Sequence, residues 1–183
     1  MRPTLNYLIF VFLWMIFAGN AISQPRKKEN KRPNFIIILA DDLGYGETGC
    51  YGQKIIRTPH IDKLAEQGIR FTDFYSGSAV CAPSRCCLMT GLSTGHAQIR
   101  DNIEIGEWND YGGQKPLEPN TNTLGRMMKD AGYKTACIGK WGLGGPGSSG
   151  VPGEQGFDFF FGYLCQRQAH NHYPAYLLSL IHI

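Results

Sequence analysis

Residues 34–40, Asn-Phe-Ile-Ile-Ile-Leu-Ala, form an unbroken apolar run that stops at Asp41-Asp42-Leu43-Gly44. A strand that is apolar on both sides needs cover on both faces, as in a parallel sheet lying between layers of helices. The chain that follows keeps to that grammar. Thr58-Pro59 offers a helix cap and a first-turn proline, Ile61, Leu64 and Ala65 make a stripe, and Gly68 ends it. Residues 69–74 (IRFTDF) then alternate like a strand. Further on, Thr123 caps a helix through Leu124, Met127, Met128 and Ala131, which Gly132 ends, and residues 133–138 (YKTACI) run as a strand into Gly139-Lys140-Trp141. Strands alternating with helices predict an α/β fold with a largely parallel central sheet flanked by helices. Sites in such sheets gather beyond the carboxyl ends of the strands, where Asp41, Asp42 and Lys140 fall.

The N-terminus reads as an address. Arg2 precedes an apolar stretch at residues 8–18 that is too short to span a membrane, and Ala21-Ile22-Ser23 places small residues where a signal peptidase cuts. The expectation is a signal peptide over residues 1–23, a polar tether over 24–33 and one domain over 34–183, with no stable membrane insertion. Export implies a secreted or periplasmic protein, with the lysosome or another secretory compartment as alternatives. A net charge of +3, with several basic residues in one N-terminal run, leaves no footprint for nucleic acid.

Six cysteines in an exported chain raise the question of disulfides, yet three of them, Cys81, Cys86 and Cys87, crowd into residues 76–96. The sequence holds no C-x-x-C pair and no Cys/His cluster at zinc spacing. Residues 142–147 satisfy G-x-G-x-x-G, but Pro146 and the SSGVPG that follows cannot open a helix, so the segment reads as a flexible loop. Gly139-Lys140 lacks the upstream glycine and the following hydroxyl of a P-loop.

Pro83 fits the first turn of a helix through residues 84–89 that Gly91 stops, which puts Cys81 at or just before its N-terminus. Free N–H groups there favour an anion, and Arg85, one turn in, adds a planar donor pair suited to sulfate or phosphate oxygens. Cysteine phosphatases need Cys-x5-Arg, and the spacing here is Cys-x3-Arg.

These residues resemble a family. Residues 79–85 (AVCAPSR) followed by Leu88-Met89-Thr90-Gly91 are similar to the first signature of the type I sulfatases, of the alkaline phosphatase superfamily. Residues 132–141 (GYKTACIGKW) resemble their second signature, and residues 34–44 their opening strand with its metal-binding acids. The resemblance implies that Cys81 is oxidised by a maturation enzyme to formylglycine. One hydroxyl of its hydrate would attack sulfur, and the other would then expel sulfate and restore the aldehyde. It further implies a divalent cation, calcium with magnesium as the alternative, held by Asp41, Asp42 and residue 81, with Arg85 steadying the hydrate and Lys140 neutralising sulfate. The expected substrate is a sulfated small molecule or glycan.

The chain departs from that pattern in two ways. Gly142 stands where the family often has a histidine after Lys-Trp, and His170, in residues 168–173 (QAHNHY), is the candidate to replace it in proton transfer. Such enzymes also need several hundred residues, so the expectation is an N-terminal fragment, incomplete at the C-terminus and inactive alone. The alternatives are a phosphodiesterase or phosphonate monoester hydrolase of the same superfamily, and a non-catalytic binding protein.

Overall fold

The computed structural model describes residues 32–105 and 114–179. The expected signal peptide, most of the tether and the last residues, 180–183, lie outside them. Contacts divide the chain into residues 1–40 and 41–183.

In the first unit, residues 34–40 do not form the expected strand. None of the strand pairings among the described residues includes them, and Ile36 and Ile38 are 84% and 85% exposed. An apolar run supplies the propensity for a strand, but a strand exists only where another chain segment accepts its hydrogen bonds. The same correction applies to residues 69–74 in the second unit, where no strand forms and Ile69 and Phe74 stand exposed.

Helices obey local signals more closely. After two short 3-10 turns, Tyr45–Glu47 and Gly49–Tyr51, helix α1 spans Pro59–Gln67, with its proline in the first turn. Helix α2 spans Cys81–Thr90 and ends at Gly91, whose left-handed φ of 71° lets its N–H close on the Cys87 carbonyl at 2.8 Å. Helix α3, Leu124–Asp130, is capped by the Thr123 hydroxyl, which accepts from the Arg126 N–H at 3.2 Å.

Strand β1 (Ala136–Lys140) pairs in parallel with β2 (Phe159–Tyr163), and a short β3 (Leu178–Ser179) pairs antiparallel with β2. Between β2 and β3 lies helix α4, Gln166–His170. The α/β class holds, and the sheet is mixed because β3 turns back on β2. The core joins Ala82 and Cys86 of α2 to Phe160 of β2 and to Ala97, Ile99, Leu117, Trp141, Leu143 and Leu164.

The glycine-rich crossover from β1 to β2 is not a flexible loop. Leu143 is fully buried, the Trp141 indole N–H donates to the Gly150 carbonyl at 2.7 Å, and its ring meets Phe157 edge-on at 5.7 Å. Glycines here serve close backbone packing, which composition alone does not separate from flexibility.

Candidate active site

The site is built where the start of α2 meets the end of β1. Cys81 and Arg85 are four residues apart on α2 and so share a face. Arg85 reaches across to β1, donating from one terminal nitrogen to the Lys140 carbonyl at 2.5 Å and from the other to Asp41 Oδ1 at 3.0 Å. Lys140 Nζ meets the second oxygen, Asp41 Oδ2, at 2.6 Å. One carboxylate thus gathers cations from two elements, each through its own oxygen.

The cations are sheltered and the carboxylate less so: side-chain exposure is 13% for Arg85, 9% for Lys140 and 42% for Asp41. Burial pushes the Asp41 carboxyl up, but hydrogen bonds from Lys140 and Arg85 outweigh it and hold the group below the ordinary carboxylate range. Two positive groups against one negative group leave the cluster net positive, and Arg85 Nε is buried without a partner. This is the electrostatic setting for an oxyanion.

Cys81 is half-buried, whereas Cys86 and Cys87 point into the core; all six cysteines are free thiols. Burial raises the Cys86 thiol above its ordinary value and pushes Cys137 up to about 11. Beside Cys81 stands a residue that the sequence reading missed. Asn102 Oδ1 accepts the Ala82 N–H at 3.0 Å, while Nδ2 lies 3.4 Å from Cys81 Sγ. Nothing in the spacing of Arg100-Asp101-Asn102 announces this contact, which exists only through the fold.

Asp42 follows Asp41 with a left-handed φ of 59°, a backbone state that aspartate tolerates better than most residues. Calcium takes about six to eight oxygens. Here both oxygens of Asp41 are engaged by Arg85 and Lys140, and among the described residues no group of three His, Cys, Asp or Glu side chains converges on a metal position. The described residues therefore do not make the expected cation site of Asp41, Asp42 and residue 81 by themselves. A cation would have to draw Asp41 from its partners and find further oxygens.

His170 is the exposed last residue of α4, and no hydrogen bond or ion pair among the described residues joins it to Cys81, Arg85 or Lys140. What α4 presents to Gly142 is instead Gln166, which is 4% exposed with both amide atoms buried and unpartnered. Sequence reasoning missed Gln166 because it lies twenty-odd residues from the position whose space it fills.

A family model described as Sulfatase matches residues 33–178, a range that contains every residue of this cluster. Human steryl-sulfatase is 36% identical over 166 residues, covering 88% of this chain and 27% of that protein. Human arylsulfatase A is 39% identical over 151 residues, covering 82% and 27%. The chain thus spans about a quarter of the length of these curated relatives. Among solved structures, the PsFucS1 sulfatase from Pseudoalteromonas sp. superposes with a TM-score of 0.57 at 28% identity, covering 93% of this chain and 34% of that one. A protein solved with its substrate D-glucosamine-2-N,6-O-disulfate gives 0.58 at 34% identity, covering 72% and 23%. These neighbours carry the α/β fold expected for the chain, and no helix among the described residues is long and apolar enough to cross a membrane. With the match running through the residues that assemble Asp41, Arg85 and Lys140, the chain belongs to the sulfatase family.

Proposed function

We propose that this chain is the part of a sulfuric ester hydrolase that grips the sulfate group and carries the nucleophile. The observation that supports this reading most is the bridge of Asp41 to both Arg85 and Lys140, one helical turn from Cys81. Asp41 holds the two cations in place before substrate arrives, so little reorganisation is needed when charge shifts onto sulfate. Arg85 offers planar donors to sulfate oxygens, and Lys140 adds a compact charge.

Residue 81, converted from cysteine to formylglycine by a maturation enzyme, would supply in its hydrated form the hydroxyl that displaces the alcohol from sulfur. Arg85 and Lys140 would stabilise the charge that grows on the sulfate oxygens during that step. The substrate class is a sulfate ester of a small molecule or glycan. The structure leaves His170 exposed and outside the cluster, so we assign it no step.

The test uses the full-length protein produced with a maturation enzyme and assayed in parallel on an aryl sulfate and a phosphate diester. Turnover of the sulfate ester, its loss in Cys81→Ala, and formylglycine at residue 81 by peptide mass spectrometry are the expected results. Lys140→Ala should lower kcat/KM by about 100-fold or more. Preference for the diester would assign the site to phosphoryl chemistry, and turnover of neither would leave a binding protein.

A further inference from the structure

The amide of Asn102 has only one orientation open to it. The Ala82 N–H can only donate, so the atom it meets at 3.0 Å is the side-chain oxygen of Asn102. That leaves the Asn102 NH2 group 3.4 Å from Cys81 Sγ, within reach of a donor to sulfur, while the Cys81 thiol also lies within donating distance of Asn102 Oδ1 at 3.6 Å. One side chain therefore satisfies a free N–H in the first turn of α2 and directs a second donor at the heteroatom of residue 81.

Asn102 is held there by the loop that carries it. Ala97 and Ile99, each 1% exposed, pin that loop in the core shared with Ala82 and Cys86. Arg100 bonds back to the Gly95 and Ala97 carbonyls at 2.8 and 3.1 Å, and the Ile103 carbonyl accepts from the Lys115 N–H at 2.9 Å. The side chain itself is exposed, so its amide does not serve core packing.

We propose that Asn102 is a positioning residue for the nucleophile, holding the heteroatom on Cβ of residue 81 in one of its three staggered positions. The proposal rests on the reading of residue 81 as the nucleophile's precursor. In the encoded chain the group held is the thiol; after conversion it is one of the two hydroxyl oxygens of the hydrate, which accepts the same N–H better than sulfur does and so fixes the other hydroxyl as well. Locking that rotamer removes a search over orientations that would otherwise precede attack.

Two substitutions separate this role from helix capping. Asn102→Asp keeps an oxygen for the Ala82 N–H and removes the donor toward residue 81, whereas Asn102→Ala removes both. In the full-length protein, with rates normalised to formylglycine content by peptide mass spectrometry, Asn102→Asp should lower kcat about 10- to 100-fold with little change in KM. Its Tm should stay within about 2 °C of the parent, because the cap survives. Parent kcat in Asn102→Asp, with loss only in Asn102→Ala, would reduce Asn102 to a cap and overturn the proposal.

A second arm does not depend on conversion. In chain made without the maturation enzyme, iodoacetamide should alkylate Cys81 about five- to tenfold more slowly in Asn102→Asp than in the parent, since a carboxylate then faces the attacking sulfur. An unchanged alkylation rate counts against the clamp. A slowed rate here, combined with no formylglycine at residue 81 when the full-length protein is made with the maturation enzyme, supports the clamp and rejects the nucleophile reading.

Discussion

Gln166 occupies the space that a side chain at Gly142 would need: a Cβ on Gly142 would lie 1.7 Å from Gln166 Nε2. Gly142 also has φ of 75°, in the left-handed region. The two residues form a pair in which one lacks a side chain so that the other can enter.

Gly142→Ala should therefore destabilise the protein by about 2–4 kcal/mol, combining left-handed strain with overpacking. Urea denaturation measures it. Adding Gln166→Ala should recover the overpacking part and leave the strain, so the two changes should not be additive. A Gly142→Ala variant as stable as the parent would show that Gln166 moves aside freely.

Gln166 has both amide atoms buried without partners, a desolvation cost with no hydrogen bond to offset it. Replacing it by an apolar residue of similar length, Gln166→Met, is expected to be neutral or stabilising by about 1 kcal/mol. Chemical denaturation at constant m decides the matter, and a loss above about 2 kcal/mol would mean that the amide has a bonding role.

Asp158 closes the start of β2 against Thr135 and Lys129, accepting the Thr135 N–H at 3.1 Å and meeting Lys129 Nζ at 3.1 Å. The Thr135 N–H first, and the Lys129 ammonium second, hold its carboxyl below the usual range. A depressed folded value means the contribution is complete above the unfolded pKa and disappears as pH falls through the folded one. Asp158→Asn should thus lower Tm at neutral pH, with the gap to the parent closing below about pH 4. A gap that stays constant down to strongly acidic pH would reject this assignment.

Calcium should bind residues 1–183 weakly, with Kd no tighter than about millimolar, because Asp41 is already neutralised by Arg85 and Lys140. Isothermal titration provides the reading. Micromolar affinity that Asp42→Asn abolishes would show that the pair recruits enough oxygens within this chain.

The helices were legible in the amino-acid order because their signals are local. Pro59, Pro83, Gly91 and the Thr123 cap act within a turn of the residues they govern, and α1, α2 and α3 formed within a few residues of the expected positions. The spacing of Cys81, Pro83 and Arg85 was equally local, since one helical turn brings Cys81 and Arg85 to one face. Strands were read less well: residues 34–40 and 69–74 have strand composition, but a strand is a pairing, and its partner is not written in the strand. Only the tertiary structure decided the contacts that give the site its character. Lys140 meets Asp41 across 99 positions, Arg85 meets Lys140 across 55, and Asn102 returns to Cys81 across 21. Such contacts depend on where packing of Ile99, Phe160 and Leu164 leaves the backbone, which is a property of the whole core and of no single segment.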